Sequence, residues 1–264
     1  MTDYPDTWRK PPFIRNSVLR RGLWVAILAY VVFTMATLPI DWDRVAAGMG
    51  RAAKIFGGAF PPSFARADLL IDGFMESLKI ALLATVAGVG LSIPIAFCAA
   101  RNIAPVPVYY MGRAVIIIAR SFHPVIVAII FVKAVGFGPF AGVLTLTVYS
   151  VGFVAKLLAE RIEEIDFGQV EAMRAAGAPY LSTLIYAIAP QILARQIGLS
   201  IYQLDSNLRA SAVVGLVGAG GIGIILQGGI DTLNWPEVST VLLTILAFVI
   251  LGEIVSMYLR KRIL

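Results

Sequence analysis

Charged side chains are scarce in this sequence. Asp, Glu, Lys and Arg make up 14% of 264 residues, where soluble chains carry roughly a quarter. That shortage, with 59% apolar residues and a mean hydropathy of +0.84, excludes an ordinary soluble domain. Cysteine occurs once, at Cys98, so no disulfide can form within the chain. Histidine also occurs once, at His123. A His/Cys metal site needs several ligands at set spacing, so no metal site is expected. The sequence has no G-x-x-x-x-G-K-[ST] phosphate loop, no G-x-S-x-G and no H-E-x-x-H. It therefore has no recognisable means of hydrolysing ATP. It also lacks the nucleophile–base pair or metal that an intramembrane hydrolase needs. No catalytic residue is expected.

What is present is a series of apolar runs of about 20 residues, the length a helix needs to cross roughly 30 Å of hydrocarbon. They lie near residues 22–40, 74–98, 114–136, 140–159, 192–214 and 239–259. The expected fold class is all-α, a polytopic transmembrane helical bundle with about six spans. The first run is too long for the apolar part of a cleaved signal. The net charge of +6 does not point to nucleic acid, because the positive residues flank the spans and lipid is the expected surrounding. Counting positives gives an orientation with both termini cytoplasmic. The tail 1–21 (Arg9, Lys10, Arg15, Arg20, Arg21), then Arg101, Arg113, Arg161, Arg174 and the Arg260, Lys261, Arg262 cluster all fall inside. The segment 41–73 departs from the rule. It falls outside, in the periplasm, yet holds Arg44, Arg51, Lys54 and Arg66, partly in an amphipathic stretch near 44–56.

The chain thus divides into a tail (1–21), a first transmembrane helix (22–40), a periplasmic amphipathic segment (41–73) and a core (74–264). Within the core, the cytoplasmic stretch 160–190 is long and holds two helix-like pieces. One runs over 167–176 and stops at Gly177-Ala178-Pro179; the second starts at Tyr180 and meets Pro190. A loop with this much internal structure serves either as a docking element or as an interfacial hairpin. Gly218-Ala219-Gly220-Gly221-Ile222-Gly223 matches G-x-G-x-x-G. It lacks the strand, the helix and the acidic residue about 20 positions on that a dinucleotide site requires. Two readings stand for Gly218, Gly220, Gly221 and Gly223: a helix break serving a pore or gate, or close helix packing. Ionisable residues inside spans mark function by default. Arg120 and His123 lie beside Pro124 at an expected kink, and Glu76 and Lys79 form a local pair. Asp205 and Arg209 share one helix face with Asn207 between them. That pair is either a self-neutralising staple or, with Arg120, part of a polar path favouring an anion.

Glu171-Ala172-Met173-Arg174-Ala175-Ala176-Gly177, with Pro190 nineteen positions after the glutamate, resembles the EAA loop of ABC-importer permeases. Glu171, Ala172, Gly177 and Pro190 match, while Met173, Ala187 and Ala189 depart from the family's Ala, Ile and Leu. Phe60-Pro61-Pro62-Ser63-Phe64, Gly136-Phe137-Gly138-Pro139-Phe140 and Glu160-Arg161-Ile162-Glu163 are similar to segments of phosphonate-type permeases. So is Asp205-Ser206-Asn207-Leu208-Arg209 running on to Gly223. The resemblance implies a type I (MetI-like) permease that is not itself an enzyme. It implies a path for phosphonate or a related phosphorus oxyanion, with another small anion, another nutrient or a self-contained carrier as alternatives. It further implies a second permease copy, a periplasmic binding protein and two cytoplasmic ATPases that bind ATP and Mg. Glu171, Ala172, Arg174, Gly177 and Pro190 would belong to the coupling loop. Glu171 would sit near the N-terminal half of the coupling helix, where negative charge is favourable. No cofactor is expected in this chain, and the bacterial inner membrane is its expected place.

Overall fold

The computed structural model describes Ile14 and residues 16–263, without the side chains of residues 259, 260, 262 and 263. The positive residues Arg9, Lys10 and Arg15 and the side chains of Arg260 and Arg262 lie outside that description. The described chain is helical, and divides into two compact units, Met1–Lys54 and Ile55–Leu264.

In the first unit, α1 (Ser17–Thr37) starts at Asn16, whose Oδ1 accepts from Val18 N–H at 3.0 Å. It ends where Leu38 precedes Pro39, a position pushed toward extended backbone. The amphipathic α2 (Trp42–Gly58) begins with Asp41 accepting from Arg44 N–H at 3.0 Å.

The second unit holds the bundle. Its elements are α3 (Ala67–Ala99), α4 (Val106–Ser121), α5 (Pro124–Val135), α6 (Pro139–Glu163), α7 (Phe167–Ala175), α8 (Tyr180–Thr183), α9 (Ala189–Gly215), α10 (Ile222–Asp231) and α11 (Trp235–Ile263). Among the described residues, five helices are long and apolar enough to cross a membrane, or six if the bent pair α4–α5 is one span.

Two sequence expectations need correction. The helix of the second apolar run begins at Ala67, seven residues before the run read from sequence. Gly73 lets this first part of α3 pack closely on α10, where an added Cβ would meet the Ile225 side chain and the Ile222 backbone. The kink expected at Pro124 is present as a 90° bend at residues 122–123 that divides the run 114–136 between two helices. His123 precedes Pro124 and is extended, while Pro124 suits the first turn of a new helix. Finally, Pro190 does not end a helix. A π turn over Leu184–Ile188 joins α8 to α9, with Ala189 N–H bonded to the Leu184 carbonyl. The wider turn takes up a residue that has no N–H and whose ring crowds the preceding turn.

α3 and α6 form the centre, with α4 and α9 packed against both. Small residues make the crossing close: a Cβ on Gly88 of α3 would collide with Ser150 of α6. One apolar cluster (Ala96, Ile116, Leu158, Ile162, Val170, Ile188, Ile192) fills the end near α7. A second (Ile80, Ala128, Leu146, Val214, Ala219) fills the opposite half around α5. A third (Leu70, Ala212, Ile222, Val241) joins α10 and α11 to the bundle.

Candidate functional site

At the end of the bundle that holds α7, sequence dictates a short helix with defined ends. Asp166 caps it, its Oδ1 accepting from Gly168 N–H at 2.9 Å. At the other end Gly177 takes φ +73°. Its N–H bonds the Arg174 carbonyl at 3.0 Å, and Ala178 N–H bonds the Met173 carbonyl at 3.1 Å. This is the Schellman arrangement, which favours glycine at its left-handed residue. Val170 is buried, and Phe167 and Met173 pack on the same apolar cluster. Those three anchors leave Glu171, Ala172 and Arg174 exposed on one small surface. Met173, which departs from the EAA pattern, lies on the anchored side. Glu171 is the central residue of the nine-residue α7, not part of its first turn, so the favourable charge at the helix start comes from Asp166. Pro190 is exposed at the start of α9. Gln191, which sequence reading missed, ties the two helices. Its Oε1 accepts from Asp166 N–H at 2.9 Å and its Nε2 donates to the Asp166 carbonyl at 3.2 Å.

The opposite end of α9 runs into the glycine-rich break. Gly218, Gly220 and Gly221 have φ of +92°, +88° and +75°. The break is wedged between α3 and the turn before α6. Gly138 N–H bonds the Gly218 carbonyl at 3.0 Å, and Ile222 N–H donates to Ser77 Oγ of α3 at 2.9 Å. A side chain at Gly218 would strike the Phe137 ring, one at Gly220 the Pro139 backbone, and one at Gly221 Ser77. Gly223 lies against Gly215 and Ala212 of α9. Irregular backbone and close packing therefore occur at the same place, so the two readings of this motif are not exclusive.

Between these ends, α9 carries two polar faces. Asn207 is fully buried toward α3 and α6. Its Nδ2 donates to Thr85 Oγ1 at 2.9 Å and to Ser150 Oγ at 2.8 Å. Gln203, one turn earlier, donates to Asn207 Oδ1 at 2.9 Å and to Ser150 Oγ at 3.0 Å. Sequence reading missed Gln203; the signal was a second amide four residues from Asn207. On the other side, Arg209 lies 2.7 Å from Asp205 and 3.6 Å from Glu253 of α11. Arg120 instead crosses α6 at Gly152, at the end of α4. The structure does not bring Arg120 and Arg209 into one cluster. His123 caps α5, its Nδ1 facing Val125 N–H at 3.4 Å. Glu76 and Lys79 lie in α3, and Glu76 Oε1 approaches Gly220.

Residues 88–263 match the family described as binding-protein-dependent transport system inner membrane component. The chain belongs to this family. The matched stretch of the permease starts at the α3–α6 crossing and contains α7, the α4–α5 bend and the glycine-rich break. The permease is 39% identical to the phosphite transport system permease protein PtxC of Stutzerimonas stutzeri, over 99% of each chain. It is 35% identical to the phosphate-import permease protein PhnE of Mycolicibacterium smegmatis, over 95% of this chain; it spans about half, 47%, of that relative's length. Among solved structures it resembles an inward-facing form of the MetNI methionine ABC transporter. That likeness has a TM-score of 0.67 and 26% identity, over 76% of this chain and 99% of the other. The permease is thus a multi-pass membrane protein of the MetI-like fold and, as an ABC-importer permease, not itself an enzyme.

Proposed function

We propose that this permease forms the inner-membrane path of an ATP-driven importer for phosphite, phosphonate or a related phosphorus oxyanion. The observation that carries the reading is end-to-end similarity to a phosphite transport permease, 39% over 99% of each chain. Two copies of the permease make the path. The 47% coverage of a longer relative supports this, since that relative has room for two such units. Two cytoplasmic ATPases bind ATP and Mg and dock on α7, a periplasmic binding protein delivers the anion, and both termini face the cytoplasm.

The exposed Glu171, Ala172 and Arg174 surface suits docking because its underside is anchored by Val170 and its exit is set by Gly177. A docked helix that shifts pulls on α9 through Asp166 and Gln191. Pro190 and the π turn lie at that junction, and α9 ends at the break formed by Gly218, Gly220, Gly221 and Gly223. ATP binding by the partner then favours one arrangement of the path over another, a population shift through differential contacts. In this reading Asn207 holds α9 to the bundle, His123 sets the α4–α5 bend, and Asp205 and Arg209 stabilise the α9–α11 side of the path.

The test is ATP-driven uptake of labelled phosphite into liposomes holding the complete complex. Wild type should accumulate phosphite, and Glu171→Lys and Gly177→Asp should abolish uptake while leaving membrane insertion intact. Normal uptake by both variants would overturn the docking assignment. Failure of wild type to carry phosphite, phosphonate or phosphate would overturn the cargo.

A further inference from the structure

The α4–α5 bend leaves a cation where a membrane bundle rarely keeps one. Arg120 stands in the last turn of α4. Its stem lies over Gly152 of α6, where an added Cβ would sit 2.9 Å from Arg120 Cγ. Gly152 is near the middle of α6, about 20 Å from the Pro139 end and about 16 Å from the Glu163 end at 1.5 Å per residue. Arg120 therefore crosses the bundle at mid-depth. It is exposed in the single chain, and among the described residues it makes no ion pair. A guanidinium at that depth does not face lipid; it faces a water-filled cavity or another protein surface.

The cation is not alone. Arg113, Ile116, Arg120, Ser121 and Lys156 line one cleft between α4 and α6, with a volume of about 420 Å³. Lys156 follows Gly152 by one turn on the same helix face. Its charge is only loosely matched, 3.5 Å from Glu160. Arg113 is committed elsewhere, 2.8 Å from Glu163 and donating to the Ala99 carbonyl at 2.9 Å. The cleft thus has surplus positive charge at its mid-depth end and a structural ion pair at the other.

Resting on the oxyanion reading above, we propose that Arg120 and Lys156 form the charge-selecting station of the path. A tetrahedral oxyanion in transit takes two parallel N–H bonds from the planar Arg120 fork, while the flexible Lys156 leaves Glu160 and supplies a point charge. Such a station holds its anion weakly, because Glu160 competes for Lys156. Weak holding is what passage requires: binding good enough to enter and poor enough to leave.

The experiment uses the complete complex in liposomes, with labelled inorganic phosphite and inorganic phosphate as probes. Arg120→Gln and Lys156→Gln should each lower uptake at least tenfold while ATPase stimulation by the loaded binding protein persists. Arg120→Lys should recover part of the Arg120→Gln loss. In a Cys98→Ala background, Ser121→Cys should react with a membrane-impermeant thiol reagent, and added phosphite should slow the reaction. If wild type carries phosphite and Arg120→Gln carries it within twofold, this proposal fails and the oxyanion reading stands. No reaction at Ser121→Cys in an active transporter also overturns it, because the cleft is then closed to water. If wild type carries neither of these anions nor a labelled phosphonate, both readings fall together.

Discussion

The side-chain amide of Gln191 brackets the backbone of Asp166, accepting from its N–H at 2.9 Å and donating to its carbonyl at 3.2 Å. The residue that caps α7 is thereby clamped to the first turn of α9. Replacing Gln191 with Ala removes both bonds, a local loss of about 1–2 kcal/mol. The α7 surface remains, since Val170 and Met173 still anchor it. The expected outcome is a complex that still hydrolyses ATP but moves several-fold less anion per ATP. Parallel phosphate-release and uptake assays give that ratio, and an unchanged ratio would show that the clamp transmits nothing.

Gly177 is left-handed at φ +73° with open space around it, so backbone strain alone decides what fits there. Gly177→Ala should cost about 1–2 kcal/mol. Gly177→Asn should cost less, since Asn tolerates this conformation. Hydrogen exchange over residues 173–178 should quicken in the order Gly, Asn, Ala. Equal exchange in Asn and Ala variants would count against the strain account.

At Gly221 strain and packing act together, because φ is +75° and an added Cβ would strike Ser77. Gly221→Ala should lower both thermal stability and uptake by more than Gly228→Ala, a site with open space on α10. Ser77→Ala should cost about 1–3 kcal/mol, because the buried Ile222 N–H loses its partner. Midpoints of thermal unfolding in lipid nanodiscs measure all three.

Asn207→Ala strips the only side chain that links Thr85, Ser150 and Gln203 in one network among the described residues. A loss of about 1–3 kcal/mol is expected. The pairwise coupling between Asn207 and Thr85 in a double-mutant cycle should be nearer 0.6 kcal/mol, roughly the membrane-protein average. A destabilisation below about 0.5 kcal/mol would mean that water replaces the amide without loss.

Arg209→Ala removes the 2.7 Å ion pair to Asp205, whose side chain is 5% exposed. The expected destabilisation is about 1–3 kcal/mol, discounted from the fully buried case because Arg209 is 40% exposed. Asp205→Asn combined with Arg209→Gln should recover much of it. If stability recovers and phosphite uptake does too, the pair is a staple; if uptake stays low, its charge serves the path.

The spans were legible because membrane crossing depends on local apolar length, and α1, α6 and α11 fall close to the runs read from sequence. The short helix α7 was legible for a similar reason. Asp166, Gly177 and the following Pro179 act on their own backbone within a few residues. Side-chain direction was less accessible. Asp205 and Arg209 share a stripe at i,i+4, but Asn207 stands about 200° around the helix from Asp205. Asn207 lies between them in sequence, yet it faces α3 and α6 while they face α11. Lys156 and Gln191 look ordinary in sequence until their neighbours Arg120 and Asp166 are known.

Composition and pattern alone determined that this chain is a polytopic helical membrane protein with no recognisable phosphate loop, since hydrophobic length and motif spacing act along the chain. Only the tertiary structure decided which side chains meet. The 90° turn before Pro124, the crossing of Arg120 over Gly152 and the seating of the glycine-rich break on Ser77 depend on how separate helices approach one another. That approach is set by the packing of residues distant in sequence, which no local pattern records.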